Sequence, residues 1–169
     1  ITSANVSVVE LNRLYETYLT TNFVRRGYPY NFTQDLNGDF IIRTLQGSEN
    51  GDIEADYSWV HFSLSAPVLL KDQEIYVYGK FNNYELNEAN RIYYNPALEI
   101  YEGVILLKQG IYNYKFVAKT PQSELYNAIC GSHALTENRY LILVYYRYFG
   151  NQHDSLIAMG ETSSFEIID

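Results

Sequence analysis

The chain has 169 residues, with 20 Asp and Glu against 12 Lys and Arg and a formal net charge of −8. That balance excludes the basic footprint that nucleic-acid phosphate requires. With 47% hydrophobic and 19% charged residues, it has the composition of one folded domain with a sizeable core. Its 18 Tyr and 8 Phe, beside a single Trp, lean towards β-structure. No apolar run approaches the roughly 18–20 residues of a membrane-spanning helix, so no transmembrane segment is expected. Cys130 is the lone cysteine, which leaves neither an intrachain disulfide nor a Cys-ligated zinc site. The chain opens on Ile1, with no apolar leader, and reads as a piece of a longer protein that lacks its signal peptide.

Residues 7–18 carry the one helix-like pattern, weakened by the β-branched residues at its start. Residues 28–44 predict a hairpin. Tyr30-Asn31-Phe32-Thr33 and Phe40-Ile41-Ile42-Arg43 flank Asp35-Leu36-Asn37-Gly38-Asp39, whose Asn-Gly pair supplies the positive φ angles of a tight turn. Residues 57–64 alternate, with Val60, Phe62 and Leu64 on one face and Tyr57, Trp59, His61 and Ser63 on the other. A strand over 75–78 ends at Gly79, and a short one over 91–94 precedes Asn95-Pro96. Residues 101–107 and 111–118 are predicted to pair as a hairpin across Lys108-Gln109-Gly110. Strands over 139–148 and 165–168 close the set. Regularly spaced strands with turn signals between them predict an all-β sandwich over 55–169, preceded by an extended segment and hairpin over 1–54.

Candidate chemistry is sparse. The loop 35–39 is oxygen-rich but lacks the further ligands of a calcium loop, and it reads as a plain turn. The acidic loop 49–56 (Glu49, Asp52, Glu54, Asp56) reads as solvated. His61, His133 and His153 show no metal-ligand spacing, and no nucleophile elbow accompanies the serines. No catalytic centre, metal site or cofactor is expected. Tyr76 with Tyr78, and Tyr112 with Tyr114, repeat at period two. Such tyrosines either fill half-buried sheet positions or form a recognition surface.

The stretch Val77-Tyr78-Gly79-Lys80-Phe81-Asn82-Asn83-Tyr84, then Tyr101-Glu102-Gly103-Val104, then Gly110-Ile111-Tyr112-Asn113-Tyr114-Lys115-Phe116-Val117 resembles the glycogen-binding domains. These include the carbohydrate-binding module of the AMP-activated kinase β subunit. The resemblance implies an immunoglobulin-like, early-set β-sandwich. It places that family's sugar-stacking Trp on Tyr84, its sugar-contacting Lys on Lys115 and a contacting Asn on Asn138, with Tyr126 in the adjoining loop. The second stacking motif is replaced by Val117-Ala118-Lys119-Thr120.

A resemblance covering nearly the whole chain is carried by Asn12-Arg13-Leu14-Tyr15, Asp35-Leu36-Asn37-Gly38-Asp39-Phe40, Glu54-Ala55-Asp56-Tyr57-Ser58-Trp59-Val60-His61-Phe62, Tyr76-Val77-Tyr78-Gly79-Lys80-Phe81-Asn82-Asn83 and Val144-Tyr145-Tyr146-Arg147-Tyr148-Phe149-Gly150. These resemble the C-terminal part of the type IX secretion system plug protein family of Bacteroidetes-type bacteria. The resemblance implies a non-enzymatic periplasmic protein, peripheral to the outer membrane. Its partner would be the translocon barrel, whose periplasmic opening it occludes. A glycan held by Tyr84, Lys115, Tyr126 and Asn138 is the alternative partner.

Overall fold

The structure, a computed structural model, describes residues 6–11, 14–29, 36–44, 50–66, 73–133, 136 and 138–164. Among the described residues the fold is all-β with one short helix. Its strands are β1 (Val6–Leu11), β2 (Leu14–Leu19), β3 (Asn22–Phe23), β4 (Phe40–Ile42), β5 (Tyr57–Ser65), β6 (Glu74–Tyr78) and β7 (Arg91–Asn95). There follow β8 (Ile100–Lys108), β9 (Gly110–Tyr112), β10 (Lys115–Thr120), β11 (Ser123–Leu125), β12 (Arg139–Tyr146) and β13 (Ser155–Ser163). Helix α1 spans Gly51–Glu54. The chain divides into two compact units, Ile1–Ser132 and His133–Asp169.

In the first unit one sheet follows the path β1-β2-β5-β8-β7-β6-β10-β11, with β3 also on β5, and β4 and β9 form a separate two-stranded sheet. Strand β5 is central. Ser58, Phe62 and Leu64 are buried, while Tyr57 and Trp59 are exposed, the period-two pattern read in the sequence. Strand β7 turns the sheet's corner. Ile92 pairs with Ile75 of β6, and Tyr93 to Asn95 pair with β8. One core results, drawn from Phe62 and Leu64 of β5, Ile75 and Val77 of β6, Ile92, Tyr101, and Phe116 and Ala118 of β10. Of the helix-like segment, residues 7–11 lie in β1 and 14–18 in β2, and β2 runs parallel to β5 in the register Tyr15↔Ser58 to Tyr18↔His61.

One sequence expectation changes. The turn at Asn37-Gly38 forms, with φ of 52° and 82°, and β4 pairs with β9. The expected partner segment, 30–33, lies outside the described residues, as does the strand expected over 165–168. The 101–118 hairpin does not form. Strand β8 lies between β5 and β7, whereas β10 pairs with β6. The Lys108-Gln109-Gly110 link is held by other partners: Gln109 N–H donates to Asp56 O at 2.8 Å, and Gln109 O accepts from Arg43 N–H at 3.1 Å. Gly110 is needed at this crossing, because a Cβ there would stand 2.4 Å from the Ile41 carbonyl oxygen.

The register of β5 has a direct thermodynamic signature. Leu64→Ala on the inner face is expected to cost about 2–5 kcal/mol in denaturant unfolding. Tyr57→Ala on the outer face should change stability by about 0.5 kcal/mol or less. Equal losses would contradict the register. Gly110→Ala should cost about 1–3 kcal/mol, through the contact with the Ile41 carbonyl.

Candidate binding surfaces

Strand β6 ends at Gly79, and the chain enters a loop built on two 3-10 turns, Lys80–Asn82 and Glu88–Asn90. Two asparagines pin this loop to one backbone atom. Asn82 Nδ2 donates to Val77 O at 2.9 Å, and Asn90 Nδ2 donates to the same oxygen at 2.8 Å. Asn90, only 3% exposed, also donates to Glu85 O at 2.7 Å and accepts the Asn87 N–H at 2.9 Å. So anchored, Asn83 and Tyr84 both adopt left-handed backbone, with φ of 54° and 58°. A tyrosine there is uncommon and stores on the order of 1 kcal/mol. Contacts to the 37–39 turn hold it from the other side. Tyr84 Oη donates to Gly38 O at 3.3 Å, and Lys80 Nζ meets Asp39 Oδ2 at 2.5 Å. The Lys80 ammonium, helped by the Phe40 N–H, holds the Asp39 carboxyl below its ordinary pKa. The oxygen-rich turn therefore spends this carboxylate on structure.

The loop sets Tyr84 beside Tyr78, with ring centroids 5.3 Å apart, and Tyr126 approaches Tyr78 edge-on at 5.5 Å. Lys115 pairs with Tyr78 across the β10–β6 ladder. Its Nζ lies 5.7 Å from the Tyr78 ring centre and 5.6 Å from that of Tyr126, a double cation–π arrangement. Tyr126 Oη donates to Glu124, and that hydrogen bond raises the Tyr126 pKa to about 12. Tyr84, at 45% exposed, and Tyr126 keep open ring surface. Three of the four sugar-contacting residues expected from the sequence, Tyr84, Lys115 and Tyr126, thus share one platform. Asn138 belongs to the second unit, where its amide donates to Thr136 O and its N–H to Ser164 Oγ. The residue that sequence reasoning missed as the hub is Tyr78, though its place at the strand end before Gly79 carried the signal.

The other paired tyrosines fill the sheet. Tyr76 is buried and donates to Glu74 at 2.8 Å, while Tyr114 packs edge-on against Phe62 and Phe116. Burial raises the pKa of Tyr76 and of Tyr112 to about 12.

A second surface lies on the outward face of β2, β5 and β8. The ladders place Glu16, Trp59 and Leu106 in one row, and Tyr18, His61 and Val104 in the next. Tyr18 stacks on His61 with centroids 4.1 Å apart. Trp59 (38%), Tyr57, Val104 and Leu106 are exposed; beside Trp59 the Glu16 carboxylate accepts from Tyr18 Oη at 2.6 Å and lies 3.4 Å from His61 Nε2, and Lys108 Nζ lies 5.4 Å from the Tyr57 ring centre. Exposed aromatic and aliphatic side chains beside an internally paired carboxylate are a composition that suits protein docking. Among the described residues no cluster of three or more His, Cys, Asp or Glu is placed to hold a metal ion, and no helix is long and apolar enough to cross a membrane.

No protein-family model matches the chain, and no curated protein matches it. Among solved structures it is similar to a hypothetical protein from Parabacteroides merdae, at 34% sequence identity and a TM-score of 0.80. The match takes in 94% of this chain and 40% of that one, so the chain spans well under half the length of the protein it resembles.

The asparagine anchor is testable. Asn90→Ala leaves buried backbone groups unmatched and is expected to cost about 1–3 kcal/mol in unfolding. Hydrogen exchange should show lost protection within 79–90 and little change in β5. Unaltered exchange in that loop would show that Asn90 does not hold it.

Proposed function

We propose that the chain is a non-catalytic binding domain of the plug type, working in the periplasm at the outer membrane. It associates there with a type IX translocon barrel and occludes its periplasmic opening. On this reading the corner strand and common core are those of an early-set, immunoglobulin-like sandwich. The observation that carries the reading is the outward sheet face centred on Trp59. It is rich in aromatic side chains and held on three hydrogen-bonded strands, so docking orders few new side chains. The family-like motifs spread along the chain support it. Docking closes an opening by steric occupancy, which demands a rigid surface and no reacting group.

The convergence of Tyr84, Lys115 and Tyr126 on Tyr78 favours a second reading, an α-glucan-binding module. A sugar ring would lie on the Tyr84 face, with the Lys115 ammonium meeting its hydroxyls.

Tagged protein purified from cross-linked native envelopes should carry a large outer-membrane barrel with it, and Trp59→Ala should weaken that recovery by about tenfold. Failure to recover any barrel removes the plug reading. Calorimetry with maltoheptaose addresses the glycan reading: it requires heat that Tyr84→Ala abolishes, and a flat titration of the unaltered protein overturns it.

A further inference from the structure

The second unit contains an antiparallel hairpin, β12 on β13, in which every residue of β12 is exposed. A two-stranded ribbon with uncovered apolar faces is marginal on its own and gains stability by packing. The two faces differ. Ladder pairing and alternation put Leu141 with Glu161 and Leu143 with Met159 on one face, together with Arg139. The opposite face pairs Tyr140 with Thr162, Ile142 with Gly160 and Val144 with Ala158, and it continues to Tyr146 opposite Ser155. It holds no charged residue.

That uncharged face has relief. Its β12 side is a ridge of large side chains, and its β13 side is a strip of small ones. The strip is open: a Cβ built on Gly160 meets nothing within 4 Å. A two-fold rotation lays the ridge of one such face over the strip of another, which makes the face self-complementary. Charge agrees. Arg139 pairs with Glu161 and Arg147 with Asp154 inside the hairpin, so residues 139–163 carry no net charge although the whole chain carries −8. Bringing two hairpins together therefore adds no repulsion at the contact, and the neutrality offers nothing to a charged partner.

We infer that this face is a self-association surface, with a second copy of the chain as its occupant. The inference goes beyond the plug reading and does not depend on it. Tyr140, Ile142, Val144 and Tyr146 are each about half open. With the strip they offer on the order of 500 Å² per copy, short of the ~800 Å² per partner of a standard interface. The dimer is accordingly expected to be weak and reversible.

Sedimentation velocity of the unaltered chain across the micromolar range should show a reversible monomer–dimer equilibrium. Gly160→Phe fills the strip, and Ile142→Glu places a charge on the ridge. Each should weaken dimerisation by about tenfold or more. Leu143→Glu, on the opposite face, should leave the equilibrium in place. A chain that stays monomeric throughout, as it would if another part of a longer polypeptide covered the hairpin, overturns the inference. So does a dimer that tolerates both Gly160→Phe and Ile142→Glu, or one that only Leu143→Glu dissociates.

Discussion

The first unit depends on the alternation of β5. Because successive side chains point to opposite faces, one register decides at once that Phe62 and Leu64 enter the core and that Trp59 and Tyr57 face outward. A slip of one residue would bury the Tyr57 and Trp59 face and expose the core. The neighbours fix the register: β2 in parallel and β8 antiparallel, with Thr17 Oγ1 and Ser58 Oγ 2.7 Å apart across the β2–β5 pair. Core and candidate docking face are thus the two sides of one constraint.

The same economy governs the tyrosine platform. Strand β6 is buried on both faces through its middle, so only its last residue, Tyr78, can present a ring at the surface. The two asparagines on Val77 O then return the chain so that Tyr84 meets that ring. A loop held by buried amide hydrogen bonds presents a preorganised surface, whichever ligand it meets. The aromatic excess of the composition therefore divides into core and pleat filling by Tyr76, Tyr101 and Tyr114, a platform at Tyr78, Tyr84 and Tyr126, and two exposed apolar surfaces.

What was legible in the sequence was local. Alternation in 57–64, the short run before Gly79 and the apolar run from 101 all became strands close to their expected bounds, since period two is a property of a strand by itself. Pairing was not legible, because alternation looks the same whichever strand lies alongside. Gly110 read as a hairpin glycine, yet it serves a close approach to Ile41 on β4. Strand β13 was missed because Leu156-Ile157-Ala158-Met159 runs apolar without alternating, across a register shift in its pairing with β12. Tyr84, Lys115 and Tyr126 came from family-like motifs, while the hub Tyr78 emerged only once β6 and β10 were seen to pair.

The outward face of β5, proposed as the seat of a protein partner, carries its own reporter. Trp59 is the chain's single tryptophan. Its fluorescence should be red-shifted and open to acrylamide quenching in the free protein. On adding a purified translocon barrel, emission should shift to the blue and quenching should fall, while maltoheptaose should change neither. A barrel that binds the protein yet leaves Trp59 emission and quenching unaltered would contradict the account.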